Sequence, residues 1–410
     1  MNKKVREFAK GGMLMSKHLL HVICKRIVTP KKNIIFFESF QGKSFACNPR
    51  AIFEYMLEDD SFKGYTFVWA FRDIEKYSKE KSFTDKKRIK NRRVYLVKYE
   101  SMLYYKYLAK AGTIITNSNP RNFIKFKDEQ TFVQTWHGTP LKKIGLDVTK
   151  SGNAITSLKE MEKIYDNQAK RIDYMIAPSE FTKEKLISAF NLDKYHKEDN
   201  VLLCGYPRND ILYNYKNEDL DLIKERLNIP KDKKVILYAP TFRDNKHDTA
   251  KGFKPNAGFD FANMKKIFPD FVVLYRSHYF IKEKLDFNQV RDYVVDVSKV
   301  DDIRELYLIS DILITDYSSV FFDYANLNKP IIFYMYDLEE YKDEVRDFYF
   351  DIEKLPGPIY RTQDQVFSGL RNIDKIVEEY ADKYKSFADE FCSIDDGNAS
   401  KRFVEAVFKK

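Results

Sequence analysis

Asp311-Ile-Leu-Ile-Thr-Asp-Tyr-Ser-Ser319 carries the pattern that decides the fold. A short β-type run, Asp311 to Thr315, stops at the polar group Asp316-Tyr-Ser-Ser319, and a helical pattern follows from Val320 to Leu327. A run this short, bounded by turn residues, reads as a buried strand, so the unit is strand, loop, helix. Ser318 and Ser319 then fall at a helix start. Free backbone N–H groups and the helix dipole attract an anion there, although a serine at this place also serves as a plain N-cap.

The same unit recurs outward in both directions. In the second half, Lys234-Val-Ile-Leu-Tyr238 runs into Ala239-Pro-Thr-Phe-Arg243, and Phe271-Val-Val-Leu-Tyr275 runs into Arg276-Ser-His278. Tyr293 to Asp296 and Pro330 to Tyr334 read as the remaining strands there. In the first half, strands are predicted at Asn33–Phe37, Tyr65–Ala70, Arg93–Val97, Thr113–Thr116, Thr131–Thr135, Tyr174–Ala177 and Val201–Cys204. Helical patterns fall at Pro49–Leu57 and Glu100–Ala111. Strands alternating with helices imply βαβ units and parallel sheets, so the fold class is α/β.

A chain of 410 residues is too long for one ordinary core. The polar stretch Asn214 to Asp232 interrupts the apolar rhythm and places the division, giving domains at 31–213 and 214–375, with helices over 376–410 and a basic segment at 1–30. The formal charge of +10 and pI near 9.0 favour anionic partners: nucleic acid, acidic lipid or a phosphorylated substrate. The most basic run, Lys86-Lys-Arg-Ile-Lys-Asn-Arg-Arg93, lacks interleaved aromatic platforms, so nucleic acid is not expected. The four cysteines form no CxxC pair, which argues against zinc and fits a reducing cytoplasm.

Residues 1–30 hold seven Lys or Arg and one acid, Glu7, mixed with Met13, Leu14, Leu19, Leu20, Val22, Ile23 and Ile27. That mixture suits a helix lying in an anionic membrane surface; a helix packed on the first domain by its apolar stripe is the alternative. No apolar run reaches the ~20 residues of a spanning helix. The expected location is therefore peripheral, at the cytoplasmic face of the membrane.

In open α/β sheets the ligand crevice lies at the carboxyl ends of the strands. Three strand ends of the second half deliver hydroxyls, Arg243, Arg276 and His278 to one edge, a set suited to phosphate or pyrophosphate. In the first half, Gln134-Thr-Trp-His-Gly-Thr-Pro-Leu141 follows a strand. Gly138 lets a backbone approach a ligand, and Pro140 stiffens the turn around His137. Arg208, in the turn Gly205-Tyr-Pro-Arg-Asn-Asp210, is a further candidate for a phosphate. No GxGxxG fingerprint or GxxxxGK[ST] loop is present, which argues against NAD chemistry and P-loop ATP hydrolysis.

Trp136-His-Gly-Thr-Pro-Leu-Lys-Lys-Ile-Gly145, Gly205 to Asp210, Tyr238-Ala-Pro-Thr-Phe-Arg-Asp244, Arg276-Ser-His278 and Thr315-Asp-Tyr-Ser-Ser-Val-Phe-Phe-Asp323 resemble the CDP-glycerol glycerophosphotransferase family of teichoic acid primases and polymerases. Phe37-Glu-Ser-Phe-Gln-Gly42 and Asn48-Pro-Arg50 extend the likeness toward the N-terminus. The resemblance implies a GT-B-like architecture, two Rossmann-like domains facing a central cleft, with the acceptor on the first domain and the CDP-polyol donor on the second. It implies CDP-glycerol as donor, CMP as leaving group, and a polyprenyl-diphosphate-linked saccharide as acceptor, in wall teichoic acid synthesis. His137 and His278 carry over as catalytic residues. Gly138, Thr139, Pro140, Leu141, Arg208, Pro240, Thr241, Arg243, Arg276, Ser277, Ser318, Ser319 and Asp323 carry over as donor contacts. No cofactor is implied, and no compact Asp/Glu cluster calls for a metal. A CDP-ribitol ribitolphosphotransferase and a capsule polymerase share the pattern; a catalytically inactive lipid- or nucleic-acid-binding protein is the reading from another class.

Overall fold

The computed structural model describes residues 3–148, 158–241, 247–248, 252–253, 259–277, 287–339 and 348–409. The β-type runs of the first half form strands β1 (Lys31–Glu38), β2 (Thr66–Phe71), β3 (Arg93–Lys98), β4 (Ala111–Thr116), β5 (Thr131–Gln134), β6 (Tyr174–Ala177) and β7 (Val201–Leu203). The second half supplies β8 (Lys234–Ala239), a two-residue pair β9 (His247–Asp248) and β10 (Gly252–Phe253), then β11 (Phe271–Tyr275), β12 (Val294–Asp296), β13 (Ile312–Thr315), β14 (Ile331–Tyr334) and β15 (Ile359–Tyr360).

The first sheet has the order β3-β2-β1-β4-β5-β6-β7 and the second β12-β11-β8-β13-β14-β15, with parallel pairing throughout both. In each, the order reverses beside the first strand, at β1/β4 and at β8/β13. Such a switch point opens a crevice, because the loops on its two sides run to opposite faces. Phe37–Gly42 runs out of β1, and Pro240-Thr241 and Asp316–Ser319 follow β8 and β13; the His137 turn follows β5 and Arg276 follows β11, each one strand from its switch point.

Parallel strands are covered on both faces, which is why they read as continuous apolar runs. All of β2 is buried, and Trp69 stacks on Phe37 with centroids 5.3 Å apart. The helix α2 (Cys47–Glu58) adds Phe53 to this cluster, and the last helix, Ala399–Phe408, adds Phe403 and Val404. Fully burying side chains of this size is worth roughly 1.5–3 kcal/mol each.

Residues 376–410 are largely helical, and their helices cover both halves. The helix Ala381–Phe391 lays Phe387 and Phe391 on Phe322 of the second half, while Ala399–Phe408 returns to the first. The stretch Asn214 to Asp232 is likewise no free connection: Ile223, on the helix Asn217–Arg226, and Ile229 belong to the second core.

The N-terminal helix α1 (Lys3–Ile27) packs one face on the first half and leaves another exposed. Leu20, Cys24 and Val28 join the first core beside the helix Met102–Lys110, with His21 buried next to Tyr105. Met13, Met15, Leu19, Ile23 and Ile27 form a second apolar stripe that is exposed. No helix among the described residues is long and apolar enough to cross a membrane.

Candidate active site at the facing strand ends

The chain leaves β5 at Gln134 and must turn at once to bring His137 over the strand end. Trp136 takes φ = +51°, a left-handed conformation uncommon for a bulky residue. Its N–H donates to Gln134 Oε1 (3.0 Å), and Asn48 Nδ2 donates to the carbonyls of Thr135 (3.1 Å) and Trp136 (3.5 Å). Asn48 Oδ1 accepts from the Arg208 N–H at 3.1 Å, so one buried amide ties the histidine turn to the arginine turn.

His137 Nδ1 lies 2.8 Å from the carbonyl oxygen of Asn117, at the end of β4. A carbonyl can only accept, so Nδ1 carries the proton and Nε2 keeps its lone pair. Phe40 meets the ring edge-on at 5.8 Å and Trp136 lies 4.3 Å away. His137 itself is exposed at the crevice, although the turn that carries it is buried. Burial pushes its pKa down to about 4, against the Asn117 hydrogen bond and reinforced by the charge of Arg208. The ring is therefore neutral at pH 7.

Across the crevice, a Cβ added to Gly138 would stand 3.0 Å from Ser319 Oγ. The histidine turn of the first half thus touches the serine pair of the second, and a side chain at position 138 would crowd that contact. Ser319 makes no side-chain cap bond to the helix Val320–Tyr324; its hydroxyl faces the Gly138 turn instead. The helical stretch predicted to Leu327 continues only as a 3₁₀ turn, Ala325–Leu327.

Arg276 follows β11. Its Nη1 donates to the carbonyls of Val297 (3.1 Å) and Val300 (2.7 Å), and among the described residues it forms no ion pair. Burial lowers its pKa, as for a cation short of a counter-charge. Ser277 beside it donates its N–H and hydroxyl to Ser298 Oγ, both at 2.9 Å. At the β8/β13 switch, Asp316 Oδ1 accepts from the N–H (2.7 Å) and hydroxyl (2.5 Å) of Thr241 and from the Tyr317 N–H (2.6 Å), clamping the Pro240-Thr241 loop to the serine loop.

Arg208 and Asp323 hold each other rather than open space: Arg208 Nε and Nη2 donate to the two Asp323 oxygens at 3.0 and 2.8 Å, and both residues are buried. Asn209 Nδ2 adds a bond to Asp323 at 3.2 Å. Leu141 is packed in the second core, its carbonyl accepting from Tyr349 N–H at 2.9 Å, so it straps the halves together. Pro140 and Thr139 are buried beside it, and the Thr241 hydroxyl is engaged by Asp316. Arg243 and His278 lie outside the described residues. Asn117, Asp316 and Ser298 are not legible as site residues because polar residues in loops carry only a turn signal of their own, and Asn48, in the first turn of α2, carries only a helix-start signal.

Two Rossmann-like parallel sheets, with a neutral histidine turn that meets a serine of the second half and a buried-side arginine that forms no ion pair among the described residues, define a GT-B-like group transferase. The pattern of the CDP-glycerol:poly(glycerophosphate) glycerophosphotransferase family matches residues 20–409, and the chain belongs to that family. It is 39% identical to the teichoic acid poly(glycerol phosphate) polymerase of Bacillus spizizenii over 92% of each chain. It is 38% identical to the teichoic acid glycerol-phosphate transferase of Staphylococcus aureus, over 93% of this chain and 94% of that protein. The solved wall teichoic acid polymerase TagF superposes with a TM-score of 0.85 at 35% identity, covering 99% of this chain and 97% of that one.

Proposed function

We propose that the chain transfers glycerol phosphate from CDP-glycerol to a hydroxyl of a polyprenyl-diphosphate-linked saccharide, releasing CMP, in wall teichoic acid synthesis. The observation that carries this reading is His137, with Nδ1 held by Asn117, Nε2 without a hydrogen bond among the described residues, and the neighbouring Gly138 against Ser319. The first half takes the acceptor and the second the donor. Nε2 accepts the proton of the acceptor hydroxyl as its oxygen attacks the β-phosphorus of the donor. The bond from that phosphorus to the bridging oxygen breaks, and CMP leaves with the electron pair. Phosphoryl transfer depends on positioning and charge neutralisation. Arg276 supplies a positive charge that forms no ion pair among the described residues, and Ser318, Ser319, Gly138, Ser277 and Pro240 line the approach. His278 and Arg243 carry over from the family pattern as further donor-side groups. Arg208, Asp323 and Leu141 shape the site by holding the halves together.

The lipid-linked acceptor requires the cleft to sit near a membrane. The exposed stripe Met13, Met15, Leu19, Ile23 and Ile27 on α1, with Met102 and Leu103 exposed on the neighbouring helix, supports a peripheral attachment at the cytoplasmic face. Incubation with CDP-glycerol or CDP-ribitol and a lipid-linked acceptor tests the reading. Product masses should rise by glycerol phosphate units with the first donor. Extension with CDP-ribitol alone would replace glycerol by ribitol in the account.

A further inference from the structure

The loop 297–302 of the second half holds the donor-side groups, and the first half holds the loop. Arg276 Nη1 donates to the carbonyls of Val297 and Val300, and Ser277 donates its N–H and hydroxyl to Ser298 Oγ. At the end of the same loop, Asp301 Oδ1 accepts from Lys76 Nζ at 2.8 Å, and Asp302 Oδ2 accepts from Arg50 Nη1 at 3.1 Å. Both cations come from the first half: Lys76 from the short helix Ile74–Tyr77, and Arg50 from the first turn of α2. Asp302 is buried and caps the helix Ile303–Ile309 by accepting from the Arg304 N–H at 3.1 Å. The Arg304 side chain closes on the same carboxylate, with Nε donating to Oδ1 at 2.7 Å, while Nη1 donates to the Arg208 carbonyl at 3.1 Å. Arg50 is itself fixed in direction: Nε donates to Glu54 Oε1 at 3.1 Å, and the guanidinium lies over the Phe45 ring at 4.7 Å.

These contacts take no part in the transfer chemistry, yet they bear on the charge of Arg276. Burial lowers its pKa, and the carboxylates of Asp302 and Asp301 are near enough to oppose that shift. A carboxylate at such a place, left without a partner, offsets the guanidinium and competes with a phosphate for it. Arg50 and Arg304 engage Asp302, and Lys76 engages Asp301, so both negative charges are matched before an anion arrives. The same turn of α2 carries Asn48, which donates to the carbonyls of Thr135 and Trp136 behind His137. One helix turn thus grips the histidine side of the crevice with Asn48 and the anion side with Arg50.

We infer that Arg50, seconded by Lys76, is a positioning residue for the donor phosphates: it fixes the loop 297–302 and pairs a carboxylate that otherwise offsets Arg276. The inference rests on the proposed function and deepens it, because the anion site of the second half is then completed from the first. The test is a double-variant cycle on the full chain, read as the Kd for CMP in a calorimetric titration. Arg50→Met should raise that Kd about fivefold, the scale of coupling within one hydrogen-bond network. In the Arg276→Ala background the same change should add almost nothing, because its effect passes through Arg276. Arg50→Lys keeps a charge within reach of Asp302 and should recover most of the affinity, and KM for the lipid-linked acceptor should stay at the wild-type value in both. Lys76→Gln alters a half-exposed side chain and should give the same pattern with a smaller rise, so it decides the matter if the Arg50→Met chain does not fold. Equal rises with and without Arg276, an unchanged Kd in both Arg50→Met and Lys76→Gln, or no recovery with Arg50→Lys would overturn the inference. A wild-type chain that binds neither CMP nor CDP-glycerol overturns the functional reading, and this inference with it.

Discussion

At the scale of single residues, the account turns on His137 and Arg276. His137→Ala should lower turnover by at least about a hundredfold, the range for losing a general base, while donor binding persists. Because burial holds the imidazole near 4, its basic form survives well below pH 6.5. The acid limb of kcat/KM should therefore fall nearer pH 4 than 6.5. The limb of kcat should lie higher, since the pyrophosphate bound beside the ring favours its protonated form. An acid limb at an ordinary histidine value in kcat/KM would contradict the lowered pKa of His137. Arg276→Ala and Ser318→Ala should each weaken CMP or CDP-glycerol binding in a calorimetric titration, and unchanged affinity in both would move the anion site elsewhere. Both residues were legible because they end apolar strand runs. Asn48 and Asn117 were not legible as site residues: nothing local tells that one amide bridges Thr135, Trp136 and Arg208, or that one carbonyl sets a histidine tautomer.

At the scale of elements, the strands were readable as short runs, and the two switch points followed once their order was known. What the runs could not convey is sharing. One stripe of α1 packs against the helix Met102–Lys110 and another is exposed, so a single amphipathic pattern served two surfaces. Similarly, Leu141 reads as part of a ligand turn but belongs to the core of the opposite half. Removing residues 1–30 should abolish sedimentation with anionic vesicles, and salt should release the full chain, because each basic residue near such a surface contributes about 1 kcal/mol that salt screens. The same truncation uncovers Tyr105 and Leu108, which pack near Cys24, so a lowered melting temperature is expected with it. Substituting Met15, Leu19 and Ile23 together by Ser separates the effects. These side chains are exposed, so vesicle binding should fall while melting stays within a few degrees. Vesicle binding that survives this triple change would place the anchor elsewhere, with Lys86 to Arg93 the next candidate.

At the scale of the molecule, the two halves are joined by one buried and one half-buried ion pair as well as by helices that cross between them. Arg208 with Asp323, and Arg50 with Asp302 at 3.1 Å, cross between them, and Arg304 Nη1 adds a bond to the Arg208 carbonyl at 3.1 Å. Asp323→Ala leaves Arg208 buried without its partner and should cost about 3–5 kcal/mol in denaturant unfolding. Pairing it with Arg208→Met should recover part of that loss, and an additive double variant would show that the pair is not coupled. This junction fixes the spacing between Gly138 and Ser319, and hence the gap across which glycerol phosphate passes. The most direct measurement is CMP release by the wild-type chain and by His137→Ala, with CDP-glycerol and a lipid-linked saccharide acceptor. The account predicts acceptor-dependent CMP release by the wild type and its near-complete loss in the variant, with CDP-glycerol affinity retained. Near-normal release by the variant, or release by the wild type that ignores the acceptor, would contradict it.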